Sequence, residues 1–140
     1  MDSNLRREII LDNYQNPFHK KVNDNYEKVN TNNESCIDNI DIYFKFNDDV
    51  LEDVSFFGEA CAISTSATSI LLRNIIGKTK EEIYNILTNY DNMINEKEYD
   101  RELLRDLVVY DEIYLQPNRK NCALLPSNAV KNMLKKLESM

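Results

Sequence analysis

The chain has 140 residues, of which 42% are apolar and 29% are charged, and its formal net charge is −7. This balance is typical of a folded domain with its own core, so we expect a single domain over residues 1–140. The acidic excess opposes the electrostatic attraction on which nucleic-acid binding depends, which disfavours a nucleic-acid partner. Neither a signal peptide nor a spanning segment is visible, so we expect a cytoplasmic protein without a membrane partner.

The first quarter of the chain contains one helical pattern and one weak strand pattern. Residues 3–14 carry apolar side chains at helical spacing and are followed by Asn16-Pro17, which predicts a helix that ends before the proline. The polar residues 18–25 are expected to form a loop. Weak alternation of apolar and polar residues over 26–32 indicates an edge strand.

Two extended segments follow and predict an antiparallel hairpin. Residues 40–46 alternate strictly between apolar and polar side chains, which is typical of a half-buried strand. The polar residues 47–49 favour a turn, and residues 50–57 resume the extended pattern. We expect Gly58 to end this second strand.

The pattern then changes to helical spacing. Residues 62–76 predict a helix, with Gly77 available as a left-handed cap. Thr79 and Glu82 match a capping box and so predict the start of another helix at once. The remaining chain predicts two further helices, one over residues 100–110 and a last one that begins near Pro126. Strands early and helices late favour an α+β fold, in which a small antiparallel sheet of about three strands packs against several helices.

Three cysteines in a chain of ordinary core size favour metal binding or thiol chemistry over a disulfide framework. Cys36 and Asp38 lie two residues apart at the entrance to a predicted strand, so their side chains are expected on the same side. Cys61 directly precedes a predicted helix, whose N-terminus favours a thiolate, and Cys122 lies a few residues before the predicted last helix. These four residues suit a tetrahedral zinc site, although their spacing alone leaves buried structural cysteines as an alternative.

The cysteine segments also resemble a known family over nearly the whole chain. They are NESCID at residues 33–38, GEACAIS at 58–64 and PNRKNC at 117–122, together with the helix end YQNP at 14–17 and the segment KEYD at 97–100. In order and separation they are similar to the three metal-ligand motifs of the IscU/NifU-like iron–sulfur cluster assembly family. The resemblance implies that Cys36, Asp38, Cys61 and Cys122 bind the metal.

Three features resemble the SufU branch of that family. Asn121 stands where scaffold-type members carry a histidine, Arg119 lies three residues before Cys122, and an additional helical stretch of about residues 95–114 precedes that cysteine. The resemblance implies a zinc-dependent sulfurtransferase that accepts persulfide sulfur from a SufS-type cysteine desulfurase on Cys36, while Arg119 contacts the desulfurase. Ile37 departs from the pattern, since the family usually has glycine between the first cysteine and the aspartate.

Two alternatives stay open at this point. The same ligands could hold a nascent iron–sulfur cluster, which would make the protein an assembly scaffold rather than a sulfur acceptor. Zinc could also act only as a stabilising element of the fold. Neither the identity of the metal nor the oligomeric state follows from these residues.

Overall fold

A three-stranded sheet and a set of helices make up the described part of the protein, which in this computed structural model comprises residues 1–33 and 37–139. Among these residues, no helix is both long and apolar enough to cross a membrane. The elements in chain order are α1 (Ser3–Gln15), β1 (Glu27–Asn32), β2 (Asn39–Asn47), β3 (Val50–Glu59), α2 (Ala62–Ile75), α3 (Lys80–Ile94), α4 (Arg101–Leu104), two 3-10 helices (Arg105–Tyr110 and Ile113–Leu115) and α5 (Pro117–Glu138).

The sheet is antiparallel, with strand order β1-β2-β3. Strand β2 therefore lies in the centre, and its side chains Ile40, Ile42 and Phe44 are buried in the core with those of the helices. Because side chains alternate along a strand, these three point to the same face of the sheet. The predicted α+β fold and its antiparallel sheet of about three strands are confirmed, including the edge strand over residues 27–32.

Helix α2 lies within the core, and most of its residues are buried. It ends near Gly77, which has a φ of 80° as expected for a left-handed residue after a helix. The following helix, α3, begins with the predicted capping box, in which the Thr79 and Glu82 side chains each bond to the other residue's backbone N–H. Both local predictions are confirmed because they depend on neighbouring residues only.

The second strand does not end at Gly58, as the sequence predicted, but continues to Glu59. Gly58 has a φ of 148° and pairs with Ile40 across the sheet. A Cβ atom at this position would lie 2.1 Å from the backbone oxygen of Asn39. Glycine is thus required here for the close approach of β3 to β2, and not to end the strand.

The helix predicted over residues 100–110 is divided in two. Helix α4 ends at Leu104, and Arg105 takes a φ of 49°, which is outside the helical region. The chain then forms a 3-10 helix from Arg105 to Tyr110. Residues three apart lie on the same side of both helix types, so the spacing of buried Leu104 and Leu107 could not distinguish them.

The last helix begins at Pro117, nine residues earlier than the sequence predicted, and Pro126 lies inside it. Proline at 117 is favourable because the first helical residue needs no amide hydrogen. Proline at 126 removes the donor for the backbone oxygen of Cys122. The Ser64 hydroxyl lies 3.2 Å from that oxygen, and the buried Tyr90 hydroxyl donates to the next oxygen, that of Ala123, at 2.7 Å. Hydroxyl groups from α2 and α3 thus lie against the backbone oxygens near the internal proline.

We expect Gly58→Ala to lower the free energy of unfolding of the metal-free chain by about 3 kcal/mol, because the new Cβ collides with the neighbouring strand. Gly77→Ala is the matched control, since its φ is also positive but no atom lies within 4 Å of the added Cβ. We expect the control to lose only about 1 kcal/mol. Denaturant unfolding of both variants measures the difference, and equal losses would contradict the close approach at Gly58.

Candidate metal centre

Three of the four predicted metal-ligand residues come together in the structure. Asp38, Cys61 and Cys122 each offer one ligand atom, and these atoms all lie within 4.8 Å of one another. Cys36, the fourth predicted ligand and the predicted sulfur acceptor, lies outside the described residues. Its role therefore stays a prediction.

The pairing of β2 with β3 places two of these residues side by side. Asp38 directly precedes β2, Cys61 follows β3, and the last register pair between these strands joins Asn39 to Glu59. The Cys61 backbone N–H donates to Asp38 Oδ1 at 2.7 Å, while Asp38 Oδ2 lies 3.9 Å from Cys61 Sγ. The carboxylate is thus anchored through one oxygen, and its other oxygen faces the sulfur.

Cys61 is the N-cap of helix α2, as its position in the sequence predicted. Its backbone is extended, and its Sγ accepts a hydrogen bond from the Ser64 backbone N–H at 3.4 Å. The positive end of the helix dipole favours negative charge on this sulfur. Because the side chain is only partly buried, Cys61 is also the most accessible of the three described residues.

Cys122 lies within the first turns of α5, and not before the last helix as the sequence predicted. Its side chain is 3% exposed. Burial is the main reason that the pKa of the Cys122 thiol is raised to about 12, and the neighbouring Cys61 sulfur and Asp38 carboxylate contribute to this value. Without a cation, Cys122 is therefore a neutral thiol at pH 7. A cation beside it would offset the cost of the thiolate form.

The donor set fits zinc. Zinc binds cysteine sulfur at about 2.3 Å and carboxylate oxygen at about 2.0–2.2 Å, so tetrahedral ligand atoms lie about 3.3–3.8 Å apart. The 3.9 Å between Asp38 Oδ2 and Cys61 Sγ is close to this range. Three described ligands leave one tetrahedral position for a further group. Soft sulfur ligands also suit iron in iron–sulfur clusters, so the donor set does not select one metal.

Ser64 is a site residue to which the sequence analysis assigned no role. Its hydroxyl oxygen is buried and lies 2.6 Å from Asp38 Oδ2 and 3.4 Å from Cys61 Sγ. A signal was present in the sequence, because residue 64 is three positions after the capping Cys61 and belongs to the first turn of α2. Side chains of the cap and of the third helical residue meet in this arrangement.

The predicted partner-binding residue, Arg119, lies in the first turn of α5 with an exposed side chain. It is three residues before Cys122 on the same helix, so the two side chains share one side of it. Among the described residues, Arg119 has no hydrogen-bond or ion-pair partner for its guanidinium group. Asn121 is also exposed, as is Ile37, whose side chain is 68% exposed beside Asp38.

Comparison with known proteins shows relatives along nearly the whole chain. The sequence matches the family described as NifU-like N terminal domain over residues 5–139. The zinc-dependent sulfurtransferase SufU of Bacillus subtilis is 33% identical over 135 residues, which cover 96% of this chain and 92% of that protein. The iron–sulfur cluster assembly scaffold protein IscU of Thermotoga maritima is 33% identical over 132 residues, which cover 93% of this chain and 92% of that protein.

The fold is also similar to that of a solved structure of an iron–sulfur cluster assembly protein. A crystal structure from Fervidobacterium islandicum, described as a candidate iron–sulfur cluster assembly scaffold protein for the SUF system, aligns with a TM-score of 0.85 at 33% identity. The alignment covers 93% of this chain and 97% of that chain. Because sequence and fold agree over more than nine-tenths of the chain, this protein belongs to the IscU/NifU family, with SufU among its relatives.

Proposed function

We propose that the protein is a zinc-dependent sulfurtransferase of iron–sulfur cluster assembly, which accepts persulfide sulfur from a cysteine desulfurase. The observation that carries the proposal is the convergence of Asp38, Cys61 and Cys122 within 4.8 Å. Two sulfurs and one carboxylate in a largely buried site are a zinc-type donor set. The similarity to the Bacillus subtilis protein, whose name states this activity, supports the same conclusion.

Cys36 completes the proposed site as the fourth ligand and as the sulfur acceptor. It is two residues from Asp38 along the chain, so a short connection joins it to the described ligands. Bound zinc supplies the positive charge that keeps cysteine ligands in the thiolate form at neutral pH. The fixed groups Asp38, Cys61 and Cys122 then hold the site while Cys36 reacts.

The proposed reaction is a thiol–persulfide exchange at Cys36. The Cys36 thiolate attacks the terminal sulfur of the persulfide on the desulfurase, and a new S–S bond forms. The S–S bond of the donor breaks, and the desulfurase cysteine leaves as a thiolate. One sulfur atom has moved, Cys36 has become a persulfide, and no additional oxidant or reductant is consumed.

A scaffold for a nascent iron–sulfur cluster is the second candidate function. It is supported by relatives named as IscU scaffold proteins, one of which is as similar in sequence as SufU is. Asn121 favours the sulfurtransferase, because an exposed amide beside Cys122 replaces the histidine that the scaffold-type pattern carries. The two functions use the same cysteines and differ in the metal that they bind.

Metal analysis distinguishes these functions. We expect protein purified without added metal to contain about one zinc per chain by elemental analysis, because the described donor set is a tetrahedral zinc set with one position left. Asp38→Ala, Cys61→Ser and Cys122→Ser should each weaken zinc binding by more than about 100-fold, since loss of a ligand exceeds loss of a supporting residue. The exposed Asp49→Ala is the matched carboxylate control. Iron with sulfide and a visible chromophore would favour the scaffold, and absence of any metal would contradict both functions.

Sulfur transfer is tested at Cys36. We expect the native protein to increase alanine release by a matched SufS-type desulfurase acting on cysteine, and Cys36→Ser to abolish this increase, because serine cannot take up the sulfane sulfur. Mass spectrometry of the native protein should find one additional sulfur on Cys36. The Asp49→Ala control should stimulate as the native protein does. If Cys36→Ser lost only stability while stimulation persisted, zinc would have a structural role and the proposal would be wrong.

The docking role of Arg119 is tested by charge reversal. We expect Arg119→Glu to weaken desulfurase binding by about 10-fold, because an exposed cation on the Cys122 side of α5 becomes an anion. Zinc content should not change. Lys120→Glu is the matched control, since it makes the same charge change one residue further along the same helix. Isothermal calorimetry at fixed ionic strength measures both, and equal weakening would show that only net charge matters.

A further inference from the structure

The Ser64 hydroxyl joins two parts of the candidate metal centre. Ser64 is completely buried, and its oxygen lies 2.6 Å from Asp38 Oδ2 and 3.2 Å from the backbone oxygen of Cys122. Asp38 precedes strand β2 and Cys122 belongs to the last helix, so one hydroxyl contacts two ligands that are far apart in the sequence. Only Ser64 contacts both of them through a side-chain hydroxyl among the described residues.

The Cys122 oxygen has no helical donor because of Pro126. In an α-helix the N–H of a residue bonds to the oxygen four positions earlier, so residue 126 would serve Cys122. Proline has no N–H, and a buried oxygen without a donor costs stability. The Ser64 hydroxyl lies within hydrogen-bond distance of this oxygen. The hydroxyl of Ser64 in α2 thus faces the oxygen that Pro126 leaves without a helical donor.

A hydroxyl has one hydrogen, whereas Ser64 faces two acceptors. The contact to Asp38 is the shorter of the two, as expected when the acceptor is a charged carboxylate. This bond holds Oδ2, while the Cys61 backbone N–H holds Oδ1. Both carboxylate oxygens therefore have a fixed donor, and the carboxylate is oriented before any cation binds.

We infer that Ser64 is a positioning residue of the metal centre, whose hydroxyl donates to Asp38 and orients this carboxylate toward the cation. The inference rests on the metal-binding part of the proposed function. Residues that orient metal ligands through hydrogen bonds set the affinity of a site without touching the ion. A ligand oxygen that must be reoriented on binding costs affinity, and Ser64 removes that cost.

The role of Ser64 in metal binding can be tested separately from its role at the start of α2. The cap of α2 is the contact between Cys61 Sγ and the Ser64 backbone N–H, which does not use the hydroxyl. Ser64→Ala therefore keeps the cap and removes only the hydroxyl, with its contacts to Asp38 Oδ2, the Cys122 backbone oxygen and Cys61 Sγ. Ser66→Ala is the matched control, because Ser66 is also buried in α2 and its hydroxyl pairs with Tyr110 at 2.5 Å rather than with Asp38, Cys61 or Cys122.

The experiment measures metal affinity and ligand geometry in the full chain. We expect Ser64→Ala to weaken zinc binding by about 10- to 100-fold in competition with a chelator, whereas Ser66→Ala binds as the native protein does. Cobalt-substituted Ser64→Ala should show altered visible absorption bands, since these report the coordination geometry. In an Asp38→Ala background the effect of Ser64→Ala on affinity should disappear, because the residue acts through Asp38.

Native zinc affinity and unchanged cobalt bands in Ser64→Ala would overturn the inference. If Ser64→Ala alone does not fold, Pro126→Ala returns a backbone donor to Cys122, and Ser64→Ala is then compared with its parent in that background. The same loss of affinity is expected there, and its absence would overturn the inference. A native protein that binds neither zinc nor cobalt would instead contradict the proposed function itself.

Discussion

The close approach of β3 to β2 at Gly58 is the constraint on which the candidate site depends. A side chain at this position would meet the backbone of Asn39, and without that approach the strand ends could not adopt their register. The register brings Asp38 beside Cys61, where the backbone N–H of one holds the carboxylate of the other. One glycine among the two in the chain thus determines where two of the candidate ligands meet.

The position of the third described ligand, Cys122, depends on how α5 continues through an internal proline. Helix α5 carries Cys122 into the core and continues through Pro126, against the local preference of proline. The hydroxyls of Ser64 and Tyr90 lie against the helix backbone near this proline, so side chains of α2 and α3 replace part of the internal hydrogen bonding. The same contacts connect α5 to α2 and α3. Helix α2 begins directly after Cys61, so the Cys122 sulfur lies near Cys61 and Asp38.

Burial gives the site its chemistry. Two cysteine sulfurs and a carboxylate share a small, largely buried space. The pKa of Cys122 is raised first by burial and then by the neighbouring Cys61 sulfur and Asp38 carboxylate, which repel a thiolate. A divalent cation relieves that repulsion, which is the physical reason that such a cluster binds metal. Relatives with this fold are named both as a zinc-dependent sulfurtransferase and as a scaffold for iron–sulfur clusters. The exposed residues around the cluster, Arg119 and Asn121, are where such relatives can differ without a change in the core.

The sequence by itself determined the elements that depend on neighbouring residues and the residues that carry chemistry. Strict alternation predicted β2, the Thr79 capping box predicted α3, and the helical pattern after Cys61 predicted that this residue directly precedes α2. The end of β3 at Gly58 and the start of α5 were predicted wrongly, because glycine and proline were interpreted from local rules. The break at Arg105 was missed because residue spacing does not distinguish an α-helix from a 3-10 helix. Only the tertiary structure decided these points, since a neighbouring strand requires Gly58 and distant hydroxyls lie near Pro126. For the same reason, the role of Ser64 emerged only when residues 38, 61 and 122 were brought together, because its contacts join segments far apart in the chain.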